Sequence, residues 1–384
     1  MIVRAFLCVG VLGGLSASLA MGGCSDDETG THTPATTTSS QVGTGGSAGA
    51  GGGDGGTGGT CVNSLPNEMT APATLSETGL YADIAQGTLA DYVQPFEPKY
   101  KLWSDGADKS RWVYLPECSP VIDNSDQDNW VFPVGTRMWK EFSLNGVPLE
   151  TRLVHRYGPG PADFLMVTYV WNTDNTEATL ESMGVEDAKG TEHDIPAEED
   201  CKRCHGGTGN GGVPSRFLGF SAIQLSHTLP GVTIEMLSDG GHLTNPAPDG
   251  FLVPGSQIEE AALGYLHANC GNCHNDTADG VVVPAFDVRV KAGDSDVPMT
   301  STYQTLVNQA TTQFIGMGCN FRIAGGNIAD SCVHLRMSQR GSDGMPNNNQ
   351  MPPVASDVVD ITGLAAIDAW IGTLPSDSMA CPPP

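Results

Sequence analysis

Two five-residue strings constrain this chain more than anything else in it. Cys201-Lys-Arg-Cys204-His205 and Cys270-Gly-Asn-Cys273-His274 both read C-x-x-C-H. That spacing, with a histidine directly after the second cysteine, is the attachment signal of c-type haem. Two sulfurs bond to one edge of the macrocycle, and the imidazole takes one axial position on the iron. Covalent attachment means that no preformed pocket is needed to retain the group. The strings therefore imply two haem c groups, one on Cys201, Cys204 and His205, the other on Cys270, Cys273 and His274. The competing readings are a zinc site and a pair of disulfides. A zinc ribbon sets its C-x-x-C pairs about 15–20 residues apart, whereas 65 residues separate Cys204 from Cys270. A redox disulfide does not explain a histidine at the same place twice.

Residues 1–24 read as an export signal. Arg4 is followed by an apolar run from Ala5 to Ala20, too short for a comfortable membrane span. Ser18-Leu19-Ala20 fits a cleavage site. Leu19-Ala20-Met21-Gly22-Gly23-Cys24 resembles a bacterial lipoprotein signal with Cys24 as the lipidated residue, although Met21 stands where leucine is usual. The lipoprotein reading anchors the chain to a bacterial outer membrane, facing the periplasm. Residues 25–60 are almost all Gly, Thr, Ser and Ala. They have no apolar face to bury and read as a disordered tether with an rms span of about 35 Å. Export also permits disulfides. Of eleven cysteines, Cys319 and Cys332 form the best-spaced pair, closing a loop worth about 3 kcal/mol. Cys61, Cys118 and Cys381 leave an odd thiol whose identity the sequence does not decide. The net charge of −26 excludes nucleic acid as a partner, since phosphate binding needs clustered Lys and Arg. It suits solvation, or an acidic face that docks a basic redox protein.

The 384 residues allow two domains beyond the tail, and the expected fold class is α+β multidomain. An antiparallel β-sandwich-like domain over 61–195 precedes an α-helical cytochrome c-like dihaem region, with a first haem segment over 196–260 and a second-haem domain over 261–384. Strands are expected at 111–115, 129–133, 137–144, 147–157 and 164–171. Asn145-Gly146 is the strongest hairpin signal. Val147, Leu149, Thr151 and Leu153 alternate with Pro148, Glu150 and Arg152, so one face of that strand should be buried. Five of the six tryptophans lie in this half, as a packed core or as a binding face to which His155 and Arg156 contribute. Helices are expected over 217–227, 232–237, 257–269, 301–310 and 331–339. A last helix runs from the Asp360 cap to Leu374, with Ile361, Leu364, Ile367, Trp370 and Ile371 on one face.

Each iron needs a sixth ligand or an open position. Met351 precedes two prolines, which hold it extended; it is the candidate for the His274 haem, with Met345, another Met-Pro, as alternative. Met337 reads as helix packing. For the His205 haem the candidates are Met236, His227 and His242, and a ligand from the β domain or an open site stays in play.

Several stretches resemble an uncharacterised bacterial family of exported dihaem c-type cytochromes. They are Tyr100-Lys-Leu-Trp-Ser-Asp-Gly-Ala-Asp-Lys, Phe132-Pro-Val-Gly-Thr, Glu150-Thr-Arg-Leu and Tyr169-Val-Trp-Asn. Gly219-Phe-Ser-Ala-Ile-Gln-Leu, Gly264-Tyr-Leu-His-Ala-Asn-Cys-Gly-Asn-Cys-His-Asn and the segment from Met351-Pro-Pro to Trp370-Ile continue the likeness over residues 80–374. The resemblance implies haem attachment at the two C-x-x-C-H strings and a Met-Pro-Pro ligand at Met351. The 343–350 loop is longer than the family pattern, which leaves Met345 open. The resemblance supplies no substrate. The expected function is an electron carrier with redox partner proteins. Alternatives are a dihaem peroxidase or oxidase with an open site at His205, and a haem sensor or structural lipoprotein.

Overall fold

The computed structural model describes residues 61–206, 217–247, 250–276, 286–312, 318–341, 349–354 and 356–376. All lie in one compact unit, 59–384. The signal segment, the tether, Cys24, Met345 and Cys381 fall outside the described residues.

The β-rich half begins with a two-stranded antiparallel ribbon, β1 (Tyr81–Asp83) and β2 (Thr88–Leu89). A six-stranded antiparallel sheet follows in chain order: β3 (Gln94–Pro95), β4 (Asp108–Tyr114), β5 (Arg137–Leu144), β6 (Val147–Arg156), β7 (Phe164–Trp171) and β8 (Ala178–Glu181). The β5–β6 turn has Asn145 at φ 51° and Gly146 at φ 77°, the two left-handed residues that match the twist of a tight hairpin.

Register sorts the side chains into two rows. Trp112, Trp139, Leu153 and Val167 stand opposite one another, as do their neighbours Val113, Met138, Val154 and Met166. The first row packs under Leu75, Leu80 and Val93. The indole N–H groups of Trp139 and Trp171 donate to the hydroxyls of Thr78 and Thr151, both at 3.0 Å. The second row packs against Trp130, Phe132, Phe217, Phe220 and Leu225.

The sandwich expectation is corrected accordingly. The structure has one sheet covered on both faces by loops and short helices, and no second facing sheet occurs among the described residues. The expected strand at 129–133 makes a single bridge, Val131 with Asp123. The Arg156 guanidinium takes the Phe132 carbonyl and Pro133 has no N–H to offer, so Trp130 and Phe132 serve as plugs in the core. The one-faced burial expected of β6 is also wrong. Glu150 is fully buried opposite Leu149 and Thr151, for a reason given below.

The helices are α1 (Cys201–His205), α2 (Ala222–Leu225), α3 (Ile234–Asp239), α4 (Gln257–Asn269), α5 (Ser301–Leu306), α6 (Cys332–Met337) and α7 (Ile361–Thr373). The expected helix over 217–227 shrinks to α2, because Gly219 turns left-handed at φ 81° and Ser226 leaves helical geometry. α5 stops at Leu306, where Val307 and Ala310 bridge to Ile323 and Phe321 instead. α4 starts on a capping box, Ser256 with Glu259, and α7 on Asp360, which accepts from the Gly363 N–H at 2.9 Å. Ile361 is 77 % exposed, so the buried stripe of α7 runs from Gly363 through Ile367 to Trp370 and Ile371. α4 and α7 share a core of Leu263, Leu266, Ile367 and Trp370 with Val288 and Ile323. Cys319–Cys332 is a disulfide with Cα atoms 5.2 Å apart. Cys61 pairs with Cys118 at 5.6 Å, which answers part of what the cysteine count left open.

α4 and α7 approach closely at a glycine. A Cβ on Gly363 would sit 2.0 Å from the Tyr265 ring. Gly363→Ala is expected to cost about 2 kcal/mol through overpacking, read as a lower urea midpoint. Gly372→Ala, on the same helix with open space around it, should be neutral or stabilise by up to about 1 kcal/mol.

Candidate functional site

The first C-x-x-C-H string is carried to its place by the end of the sheet. Val185 and Ile195 bridge through two backbone bonds of 2.9 and 2.8 Å. Gly184, at φ 83°, lets the chain pass so close that a Cβ would lie 2.8 Å from the Ile195 carbonyl. The Glu198 N–H then donates to Ser182, a short 3-10 turn runs to Asp200, and α1 follows at once.

The second string is the unravelled end of α4. Cys270 and Gly271 both donate to the Leu266 carbonyl at 2.9 Å, and the His274 N–H closes a further turn on Cys270 at 2.8 Å. Asn272 and Asn275 cap this turn by donating to Ala268 and Gly271, both at 2.9 Å. Gly271 is required there, since a Cβ would meet the His267 carbonyl at 2.7 Å.

The fold brings the two strings together. Cys204 Sγ lies 4.0 Å from Cys273 Sγ, close to van der Waals contact. The 65 residues of intervening chain therefore do not keep the strings apart in space. None of the four motif cysteines is in a disulfide. Burial pushes the Cys201 thiol up to about 11 despite the lowering effect of Arg152, and burial pushes Cys270 up to about 12. Redox-active dithiols show the opposite, depressed values. Among the described residues no three His, Cys, Asp or Glu side chains converge on one point as a metal site.

His274 is well shaped for a ligand. Its ring stacks on Phe286 at 4.1 Å and 9°. Burial, then the Arg336 and Arg322 charges, hold it down to about 4, so the imidazole is neutral with a lone pair. Its Nδ1 is buried with no hydrogen-bond partner among the described residues, a cost of about 1–3 kcal/mol if nothing engages the ring. A buried imidazole with an unengaged nitrogen, next to cysteines outside any disulfide, is the donor set that covalent haem would need.

The distal candidates are placed as follows. Met351 is half-buried; its N–H donates to Arg336 at 2.9 Å, and Arg336 is one of the charges felt by His274. Met345 lies outside the described residues, and Met337 is core. His227 has both ring nitrogens engaged, Nε2 with the Glu97 carbonyl at 2.6 Å and Nδ1 with the Leu229 N–H at 3.0 Å. Met236 is 54 % exposed, and His242 is exposed. His155 and Arg156 are structural: His155 is buried against Asn67 at 3.0 Å and Arg156 holds loop carbonyls.

Sequence reasoning missed the charged face of the sheet. Arg111, Lys140 and Arg152 are mutual neighbours across β4, β5 and β6, with Lys109, Phe142 and Glu150 in the next row. Glu150 accepts from Arg152 Nε at 2.7 Å and from buried His193 at 2.8 Å. Burial pushes the Glu150 carboxyl up, but Arg152 and His193 outweigh it and hold it below the ordinary carboxylate value. Arg152 is within electrostatic reach of Cys201 and Cys204. Lys140 is held well below the lysine range by burial and then by Arg111, Arg152 and Lys109. Unit charges ~5 Å apart at an effective dielectric of 20 repel by about 3 kcal/mol. The sequence signal was a charged pair, Glu150 and Arg152, inside a strand whose neighbours are all buried.

Arg111 and Lys140 line a narrow cavity of about 50 Å³ that reaches Trp130, Phe217, His267 and Asn272. His267 accepts from the Val290 N–H through Nδ1 at 3.1 Å, so its neutral ring carries the proton on Nε2. Comparison with protein-family models, curated proteins and solved structures finds no match to this chain.

Removing one partner of a buried ion pair costs about 3–5 kcal/mol, and Glu150→Gln should do so near pH 7 in urea unfolding. Because the folded carboxyl is depressed, its contribution is present above the unfolded value near 4.3 and is lost as pH falls through the folded one. The gap between wild type and variant is therefore expected to narrow below about pH 4.

Proposed function

We propose that the chain is a dihaem c-type cytochrome that carries electrons at the bacterial cell envelope, held on the membrane by lipid at Cys24. The observation that carries this reading is the meeting of the two C-x-x-C-H strings, with Cys204 and Cys273 sulfurs 4.0 Å apart. Haem iron, once bound, supplies reversible one-electron chemistry. Cys201, Cys204, Cys270 and Cys273 would hold the two groups by thioether bonds. His205 and His274 give the proximal nitrogens. Met351 gives the distal sulfur of the second group, with Met345 as its alternative.

The finer architecture belongs to the same proposal. Residues 261–384 form a cytochrome c-like domain in which α7 locks α4 and hence Cys270. Residues 196–260 supply the first haem, and the tether over 25–60 keeps the unit near the membrane. Contact between attachment sites allows electrons to pass between the groups and on to a redox partner protein. The surface that goes with a net charge of −26 favours a basic partner by electrostatic steering.

A second reading, a dihaem peroxidase or oxidase with an exchangeable position at His205, is favoured by one observation. His227 is engaged through both nitrogens and Met236 faces solvent.

Purified holoprotein is expected to carry two covalent haems by pyridine haemochrome assay. Cys201→Ser with Cys204→Ser should halve that content. Optical and EPR spectra should show two low-spin haems, with a Met–iron charge-transfer band that Met351→Ala removes. A high-spin haem that binds cyanide or reacts with peroxide would replace the carrier with the enzyme. Protein that matures with zinc and no haem would overturn both.

A further inference from the structure

The cation row on the sheet has no place in the electron-carrier reading as so far stated, and it is costly to keep. Arg152 has Glu150 as its partner. Arg111 is 4.0 Å from Glu97, a carboxylate already held by Lys101 at 3.0 Å. The short contact of Lys140 among the described residues is the Phe142 ring, 4.8 Å from its ammonium. No carboxylate pairs with Lys140 within 4.0 Å among the described residues. A chain with 18 cations and 44 carboxylates has thus set three basic side chains side by side on one face of its sheet, with one carboxylate, Glu150, firmly bound among them. An anion placed beside this row would relieve the repulsion among its members.

The surroundings define the anion. Arg111 and Lys140 line the cavity together with a third cation, Arg289, and one carboxylate, Asp128, beside the aromatic rings of Tyr100, Trp130 and Phe217. At its far side are Ala268 and Asn272, the latter inside the second C-x-x-C-H string. Arg152, at the end of the row, feels the thiols of the first string. The space between these side chains suits a small anionic group, such as a carboxylate, reaching in from the side of the second string.

Resting on the dihaem reading, we propose that Arg111, Lys140 and Arg152 bind the propionate carboxylates of the covalently held haem groups. The sheet is then the electrostatic half of the cofactor site. Lys140 and Arg111 are positioning residues: they fix the macrocycle through its carboxylates and raise the potential of the iron by neutralising negative charge close to it. Neither touches the iron.

The test is spectroelectrochemical titration of holoprotein at fixed pH and salt, wild type against Lys140→Gln and Arg111→Gln, with haem content measured first. The expected result is two haems in each protein and a lower midpoint potential for one haem in each variant. Lys140→Arg should keep the wild-type potentials, as should Lys189→Gln, which alters an exposed lysine of the same half. If a glutamine variant fails to fold, resonance Raman spectra of the wild type decide, because the propionate bending modes report whether the carboxylates contact cations. Two haems with potentials unchanged in both glutamine variants, or propionate modes of solvated carboxylates, would overturn the inference and leave the dihaem reading intact. Wild-type protein without covalent haem would instead remove the reading on which it rests.

Discussion

Asn269 is the side chain on which the geometry of the site turns. Its Oδ1 accepts the Trp103 N–H at 2.7 Å, and its Nδ2 donates to the carbonyls of Lys101 and Tyr265 at 3.2 and 3.1 Å. One amide therefore ties the last residue of α4 to the strap between β3 and β4, one position before Cys270. The strap is held elsewhere by Lys99 and Tyr100 on Gln224, at 2.8 and 2.9 Å, and by Asp105, which accepts the Val358 N–H at 2.7 Å. Gly264 completes the arrangement, since a Cβ there would stand 2.2 Å from the Tyr100 ring. Sheet, α4 and the approach to α7 are thus one mechanical piece. The position of Cys273 beside Cys204 follows from that, because Cys204 is fixed from the sheet side.

Much of this was legible in the chain. Asn145-Gly146 specified the hairpin, Ser256 and Glu259 the start of α4, and Asp360 the start of α7, because caps and tight turns are encoded by side chains a few residues from the backbone they satisfy. Short-range chemistry also predicted Cys319–Cys332. What failed was long-range. Whether Asn129–Pro133 pairs as a strand depended on Arg156 taking the Phe132 carbonyl. Whether a second sheet covers the first depended on which segments return to its faces. Alternation along β6 was read correctly, but its polar face was assigned to solvent, since nothing local announces that Glu150 will find both Arg152 and His193.

The candidate site divides along the same line. The two C-x-x-C-H strings, on which the haem proposal rests, were evident from spacing. Their convergence was hidden, because 65 residues of chain say nothing about a 4.0 Å approach. Distal positions were harder still. The apparent helical position of Met236 gave no hint that its side chain would face water.

Charge distribution connects the fold to the proposed chemistry. The strongly acidic chain keeps a row of cations on the inner face of its sheet, where desolvation and mutual repulsion both oppose them. Hydrophobic packing on the adjacent rows is what makes this tolerable. Val113, Met138 and Val154 lie one pair along from Arg111, Lys140 and Arg152 in the same strands, so each strand that is fixed by apolar burial also presents a cation at a set place. The ion pair of Glu150 with Arg152 then orients the edge of the row toward Cys201. A rigid sheet with tryptophans on one side can hold strained electrostatics on the other. That division of labour gives the aromatic-rich β half a role beside the helical segment that carries the second C-x-x-C-H string.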